Sequence, residues 1–88
     1  MPVISYFFGI YIRMYHDDHN PPHFHAEYQG HEALFAIEDG RMLAGNMPSK
    51  AQRIIREWAD ENQEALTADW DKAKSLLPLK RIKGADND

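Results

Sequence analysis

Four of the five histidines of this 88-residue chain lie within ten residues, from His16 to His25. Histidine is a common metal ligand, and its side chain titrates nearer to neutral pH than any other. If the protein performs chemistry, we expect it at this cluster. The residue types alone do not specify a substrate.

Two of these histidines, His23 and His25, have the spacing of a chelate. Residues two apart on a strand point to the same side, about 6.5–7 Å apart, and both imidazoles can then reach one ion through bonds of about 2.0–2.1 Å. We expect the third ligand to be Glu27, on the same face, or Asp18 or His19, in the preceding loop. Three protein ligands with one open position are typical of a catalytic divalent metal such as zinc, which acidifies a bound water.

Two interpretations of the cluster need no metal. In the first, His19, His23 and His25 supply an acid and a base. A cation such as Arg13 or Arg41 then stabilises the negative charge of the transition state, which suits cleavage of RNA through its 2′-hydroxyl. In the second, the cluster is a structural hairpin corner whose side chains bond loop carbonyls, with Asp18 capping backbone N–H groups. Arg13 is then a solvated strand residue.

The composition is that of one small globular domain, with 43% hydrophobic residues. There is no cysteine, which excludes disulfides and thiolate metal sites. No apolar run approaches the roughly 18–20 residues that span a bilayer, and the apolar N-terminus lacks the features of a signal peptide. We therefore expect a cytoplasmic protein that does not associate with membranes.

The charges are unevenly distributed along the chain. The net charge of -4 argues against general nucleic-acid binding, which usually requires a basic surface. Acidic residues recur between positions 57 and 71, whereas Lys80, Arg81 and Lys83 form a short basic patch. We interpret that patch as part of a solvated tail.

The first half of the chain predicts short strands. Residues 3–8 are rich in aromatic and β-branched side chains, and the apolar residues at positions 10, 12 and 14 alternate with outward-facing ones. His16 continues the buried phase. The loop at residues 17–22 contains two prolines, which cannot donate ladder hydrogen bonds.

Three further strands are predicted after this loop. Residues 23–29 alternate between a face that bears His23 and His25, which we expect on the solvent side, and an apolar face that includes Phe24. Residues 33–38 form the next strand, and the Asp-Gly pair at positions 39–40 predicts a two-residue type I′ hairpin. Residues 41–43 then form a short fifth strand.

The second half predicts helices. Ser49 and Gln52 match a capping box, and an apolar stripe at helical spacing follows, with its largest members at Trp58 and Trp70. One helix of about 26 residues would be roughly 39 Å long, whereas a domain of this size has a radius of gyration of about 12 Å. We therefore expect a break near Asn62.

Together these elements predict an α+β fold, in which a meander of four to five antiparallel strands precedes two helices that pack on one face of the sheet. We place the domain at residues 1–80, with the apolar stripe ending at Leu77. We expect residues 81–88 to form a frayed, charged tail. Because a short sheet leaves open edges, a homodimer through an edge strand or a helix face is compatible with this fold.

The string D-H-N-P-P-H-F-H, from Asp18 to His25, resembles the motif of a family of small bacterial proteins known as domain of unknown function 4160. Residues 1–4, the strand at residues 11–15 and a helical half with Trp70 also resemble it, so the likeness extends to about Leu77. The motif falls on Asp18, His19, Asn20, Pro21, Pro22, His23 and His25. The charged tail beyond position 78 departs from the family pattern.

The resemblance implies a partner more than a reaction, because the family has no established activity. Its members are often encoded beside another small protein, and toxin–antitoxin pairing has been suspected for them. Our leading hypothesis is therefore an interaction protein of a two-gene, toxin–antitoxin-like module, with the neighbouring gene product as partner. The alternative is a metal- or histidine-dependent hydrolase that acts on RNA. A DNA-binding partner is a third hypothesis, disfavoured by the negative charge and the lack of a recognition helix.

Overall fold

The computed structural model of the protein describes residues 2–16 and 18–86. Five strands form one antiparallel sheet in the order β1-β2-β3-β4-β5, and two helices follow. The elements are β1 (Val3–Phe7), β2 (Ile10–Arg13), β3 (His23–Tyr28), β4 (His31–Ala36), β5 (Met42–Gly45), α1 (Ser49–Glu61) and α2 (Gln63–Lys74). This architecture confirms the predicted α+β class. Asp17, in the predicted loop, lies outside the described residues.

Strand alternation divides the sheet into a face covered by the helices and an outer face. The apolar residues at positions 10, 12 and 14 are buried, as predicted. Phe24 of β3 and Phe35 of β4 are fully buried and stack with ring centroids 5.6 Å apart. Trp58 of α1 packs on Phe24 at 5.8 Å and on Phe7 at 5.0 Å. The aromatic core between sheet and helices therefore fixes the side of β3 on which Phe24 lies.

The two helices meet at Asn62, which confirms the predicted break. The backbone N–H and the side-chain amide of Asn62 both donate to the carbonyl of Trp58. The largest dimension of the molecule is 33 Å, shorter than the roughly 39 Å of an unbroken helix of this length. Trp58 and Trp70 are both buried, as the apolar stripe predicts. No helix among the described residues is long and apolar enough to span a membrane.

The capping box predicted at Ser49 does not form. Pro48 occupies the cap position of α1, so Ser49 is already the first helical residue and no side chain caps the helix. The amide of Gln52 instead donates to the carbonyl of Met47 at 2.9 Å. The pattern located the start of the helix but was one residue out of phase with the cap.

The turn at Asp39 and Gly40 is longer than predicted. Ala36 and Arg41 close it, because the N–H of Ala36 donates to the carbonyl of Arg41 at 2.9 Å, which leaves four residues in the loop. A type I′ turn needs positive φ at both central residues, but of this pair Gly40 alone has one, at 75°. The carboxylate of Asp39 accepts from the N–H of Arg41 at 3.1 Å instead.

Two residues predicted in the apolar phase are exposed. β2 ends at Arg13, so the alternation does not reach His16. α2 ends at Lys74, and Leu77 is 52% exposed. These two residues contact each other, because Nε2 of His16 lies 2.9 Å from the carbonyl of Leu77. The contact joins the loop after β2 to the segment after α2.

Much of the predicted frayed tail is packed. Ile82 is buried, and its N–H donates to the carbonyl of Ile4 at 2.7 Å. The hydroxyl of Ser5 donates to the carbonyl of Ile82 at 2.8 Å. The segment supplies an apolar side chain and backbone hydrogen-bond partners at this edge of the sheet. It therefore runs beside β1. Positions 87 and 88 lie outside the described residues.

Candidate functional site

The loop after β2 and the start of β3 bring Asp18, His23 and His25 together. Oδ2 of Asp18 lies 3.0 Å from Nε2 of His23 and 3.3 Å from Nε2 of His25. All three donor atoms lie within 4.8 Å of one another. An ion with bonds of about 2.0–2.1 Å separates neighbouring ligand atoms by about 2.9–3.4 Å in octahedral or tetrahedral geometry. The two distances from the carboxylate therefore match a metal coordination shell.

The tautomer of His23 follows from its contact with the loop. Nδ1 lies 2.7 Å from the carbonyl oxygen of Pro21. A carbonyl only accepts, so Nδ1 carries a proton that it donates. In the neutral ring Nε2 then has a lone pair, and this lone pair points at the carboxylate of Asp18. Such a backbone contact is the usual way in which a protein orients a metal-binding histidine.

The pKa values of Asp18 and His25 are both shifted in the direction that favours binding of a cation. Burial opposes ionisation of Asp18, but the N–H of His19, the His25 side chain and the nearby imidazole charges outweigh it, so the pKa of Asp18 lies below its usual value. Burial lowers the pKa of His25, and the charge of His23 adds to this against the opposing effect of Asp18. At neutral pH this favours an ionised carboxylate and a neutral imidazole, the forms that bind metals.

Helix α2 holds the loop in place. The ring of Trp70 packs on His23 with centroids 5.3 Å apart. Nζ of Lys74 donates to the backbone carbonyl of Asp18 at 2.8 Å and lies 6.0 Å from the centroid of the Trp70 ring. The positioning roles of Trp70 and Lys74 were not predicted from the sequence. The available signal is the spacing of four residues between Trp70 and Lys74, which puts both on one side of the helix.

Two of the predicted ligands lie outside the convergent group. The His19 side chain is 93% exposed, and its Nδ1 lies 3.3 Å from Oδ1 of Asp18, the carboxylate oxygen that faces away from the other histidines. Glu27 forms an ion pair with Arg13. Of the five predicted ligands, the structure therefore brings Asp18, His23 and His25 together.

Arg13 shares the outer face of the sheet with His25. The two residues are direct partners in the β2–β3 register, and cross-strand partners point to the same side. The guanidinium is engaged by Glu27, however. Arg13 is therefore near the site, but it is not an uncompensated positive charge.

The expectation that both histidine rings lie on the solvent side is wrong for His23. This residue is buried against Trp70 of α2, with 5% exposed, whereas the side chain of His25 is 30% exposed. The edge of the Tyr15 ring packs on His25, with centroids 4.3 Å apart. An open cavity of about 580 Å³ lies beside His25 and is also lined by Arg13, Tyr15 and Glu32. A ligand can approach the site from this side.

Comparison with known proteins identifies a family. No curated protein and no solved structure matches the chain. The family described as domain of unknown function (DUF4160) matches residues 9–71, which include the site and most of both helices. Because the match covers well over half of the sequence, the chain belongs to the DUF4160 family.

Proposed function

We propose that this protein is a metal-dependent hydrolase whose divalent transition-metal ion is held by Asp18, His23 and His25. The observation that carries the proposal is the contact between Asp18 and His23. With Nδ1 donating to Pro21, Nε2 of His23 meets the carboxylate oxygen at 3.0 Å favourably in two ways, as the N–H of an imidazolium or as a lone pair that shares a cation with the carboxylate. A metal ion that His25 also coordinates satisfies all three donors.

The donor set limits the choice of ion. Two imidazoles and one carboxylate suit zinc, and also manganese, iron or nickel. Three protein ligands leave coordination positions open, and the ion would lower the pKa of a bound water to about 7. Hydrolysis is therefore the reaction class that this donor set supports best.

The residues around the ligands have separate roles in this account. Pro21 fixes the His23 ring, and Lys74 holds the backbone of Asp18. Tyr15 packs on His25 at the mouth of the open cavity. Substrate would enter from the cavity and meet the open coordination positions there, while the buried His23 side stays closed.

Hydrolytic activity tests the proposal. Protein purified without a metal-chelating column is stripped with EDTA and assayed on bis(4-nitrophenyl) phosphate and 4-nitrophenyl acetate, with and without zinc, manganese or nickel. We expect metal-dependent turnover that is lost in His25→Ala. The control is His31→Ala, because His31 contacts Asn46, outside the ligand group. Absence of metal-stimulated turnover, or equal turnover in His25→Ala, contradicts the proposal.

A second candidate is the interaction role in a two-gene, toxin–antitoxin-like module, which the free edge of β5 favours. The sheet order places β5 at one end, and within residues 2–16 and 18–86 it pairs with β4 only. The opposite edge, at β1, contacts Ile82. An unpaired edge strand is a template for strand addition by another chain.

Co-expression with the product of the neighbouring gene tests this second candidate. We expect a complex that survives size-exclusion chromatography and protects the amides of β5 from hydrogen exchange. Failure to form any complex contradicts the interaction role. A complex that leaves the β5 amides unprotected contradicts the surface assigned to it.

A further inference from the structure

The outer face of the sheet, opposite the helices, carries two exposed tyrosines. Tyr6 of β1 and Tyr11 of β2 are cross-strand partners with ring centroids 4.6 Å apart. They are 40% and 42% exposed. The guanidinium of Arg13 lies 5.3 Å from the centroid of the Tyr11 ring. Two exposed rings side by side offer flat surfaces on which planar groups can stack.

The packed C-terminal segment brings positive charge to the same side of the sheet. Ile82 is bonded to Ile4 in β1 and points into the core. Arg81 and Lys83 flank Ile82 and therefore point the other way in an extended segment, and both are exposed. Lys80 lies on the helix side instead, because its N–H donates to Asp69 of α2. We call Arg81 and Lys83 the basic edge. It borders the strand that carries Tyr6, although it lies more than 70 positions away in sequence.

The net negative charge of the whole chain is not distributed evenly between the helical layer and the outer face of the sheet. The acidic residues between positions 57 and 71 belong to α1 and α2, which cover the other face of the sheet. On the outer face, Glu27 is paired with Arg13, and its cross-strand partner Glu32 lies on β4. The positive side of the outer face is therefore the side of β1 and β2.

We propose that Tyr6, Tyr11 and the basic edge bind single-stranded nucleic acid. Bases stack on exposed aromatic rings, and the cations pair with phosphates, a combination that binds single strands with little sequence preference. An acidic peptide would use the cations but has no flat groups to stack on the tyrosines. Aromatic rings beside a row of cations therefore favour nucleic acid over a peptide.

The surface formed by Tyr6 and Tyr11 extends toward the proposed metal site. Tyr15 follows Tyr11 by four residues, or about 13 Å along the strand direction, and its ring contacts His25. A strand stacked on the tyrosine pair would therefore extend toward the open cavity beside His25. The inference names the substrate class of the proposed hydrolase and rests on that function for its catalytic meaning, whereas binding stands by itself.

Fluorescence anisotropy in EDTA tests binding without the metal. The probes are a labelled 12-nucleotide single-stranded RNA, the DNA of the same sequence, and the corresponding duplexes. We expect both single strands to bind more tightly than their duplexes. Tighter binding of the RNA than of the DNA would identify RNA as the preferred ligand. Two phosphate contacts predict a slope of about −1.4 for log affinity against log salt concentration. No binding of any single strand by the parent protein overturns the inference.

Matched variants locate the surface, each checked for an unchanged melting temperature. We expect Tyr6→Ala to weaken binding at least about fivefold, the loss expected for one base stack, and Tyr6→Phe to restore it. Replacing the basic edge by serines should weaken binding and flatten the salt slope. The control replaces Lys50 and Arg53 of α1 by serines, with the same charge change on the other layer. Equal effects of the two double variants overturn the inference.

The two proposals fail separately. Binding of oligonucleotides in EDTA without any metal-dependent hydrolysis supports this surface and contradicts the hydrolase. Metal-dependent turnover of the small test esters without oligonucleotide binding supports the hydrolase and contradicts this surface.

Discussion

The carboxylate of Asp18 and the Nε2 atom of His23 face each other at 3.0 Å across the start of β3. When the imidazole is neutral, with Nδ1 donating to Pro21, this contact places an acceptor against an acceptor. Two facing acceptors without a proton or a metal ion between them are costly inside a protein. A metal ion shared with His25 would satisfy both, and several measurements follow from this proposal.

Asp18→Asn removes a ligand charge and places a poor donor beside the two imidazoles. We expect zinc affinity to fall by more than the about 10–100-fold that loss of an outer-shell partner costs. Isothermal titration calorimetry measures the change. The control is Asp39→Asn, which removes an exposed carboxylate in the β4–β5 loop. Unchanged affinity in Asp18→Asn would exclude Asp18 as a ligand.

Lys74→Met tests whether α2 positions the loop. The variant loses the bond from Nζ to the carbonyl of Asp18 and keeps the apolar stem of the side chain. We expect zinc affinity to fall by about tenfold with little change in melting temperature, because the contact is exposed. Lys50→Met on α1 should leave affinity unchanged. Equal affinity in both variants would show that the contact does not position Asp18.

Trp58→Ala tests the core that fixes the faces of β3. Trp58 packs on Phe7 and Phe24, and its indole N–H donates to the carbonyl of Lys83 at 2.8 Å. We expect a loss of about 3–5 kcal/mol in the free energy of unfolding, a large part of the roughly 5–15 kcal/mol available to a domain. Chemical denaturation measures it, with Tyr6→Ala as the exposed control. A loss below about 1 kcal/mol, the range of surface changes, would contradict this packing.

Asp69→Asn tests a buried carboxyl. Burial raises the pKa of Asp69, although the N–H of Lys80 donates to its Oδ1 at 2.8 Å and the charges of Lys72 and Lys80 favour the ionised form. As pH rises above 3.8, the unfolded chain releases its proton first, so this group progressively lowers the stability of the fold. The loss becomes constant once the folded form has also ionised, and it remains at higher pH. Below that range both states are protonated and the contribution disappears.

The asparagine has no charge to desolvate, and its carbonyl can still accept from the N–H of Lys80. We therefore expect Asp69→Asn to melt at a higher temperature than the parent at pH 7, and the difference to shrink as pH falls to about 4. Thermal melts at a series of pH values measure this. A variant that is less stable at pH 7 would show that the ionised carboxylate is stabilising.

The parts of the fold that sequence could predict are those set by local pattern. The alternation at positions 10, 12 and 14 and the polar residue at Asn62 each depend on neighbours within one strand or one helix. The packing of Ile82 on β1 could not be predicted in this way, because the hydrogen bond from Ser5 to Ile82 joins positions 77 apart. A charged segment at a chain end has no periodicity that signals its partner.

Residue spacing likewise predicts some features of the site and not others. The spacing of His23 and His25 predicts that both rings lie on one side of a strand. The choice of Asp18 over His19 and Glu27 depends on the path of the loop and on the ion pair that Arg13 forms with Glu27. Both are set by strand register and by the contact of the loop with α2, which residue spacing does not specify.

Nitrogen-15 NMR of the five imidazoles during zinc titration tests the central claim most directly. The account predicts that Nε2 of His23 and Nε2 of His25 shift to metal-bound values and saturate at one equivalent of zinc, while His16, His19 and His31 keep their resonances. Titration without a change at His23 and His25, or with the change confined to the other histidines, would contradict it.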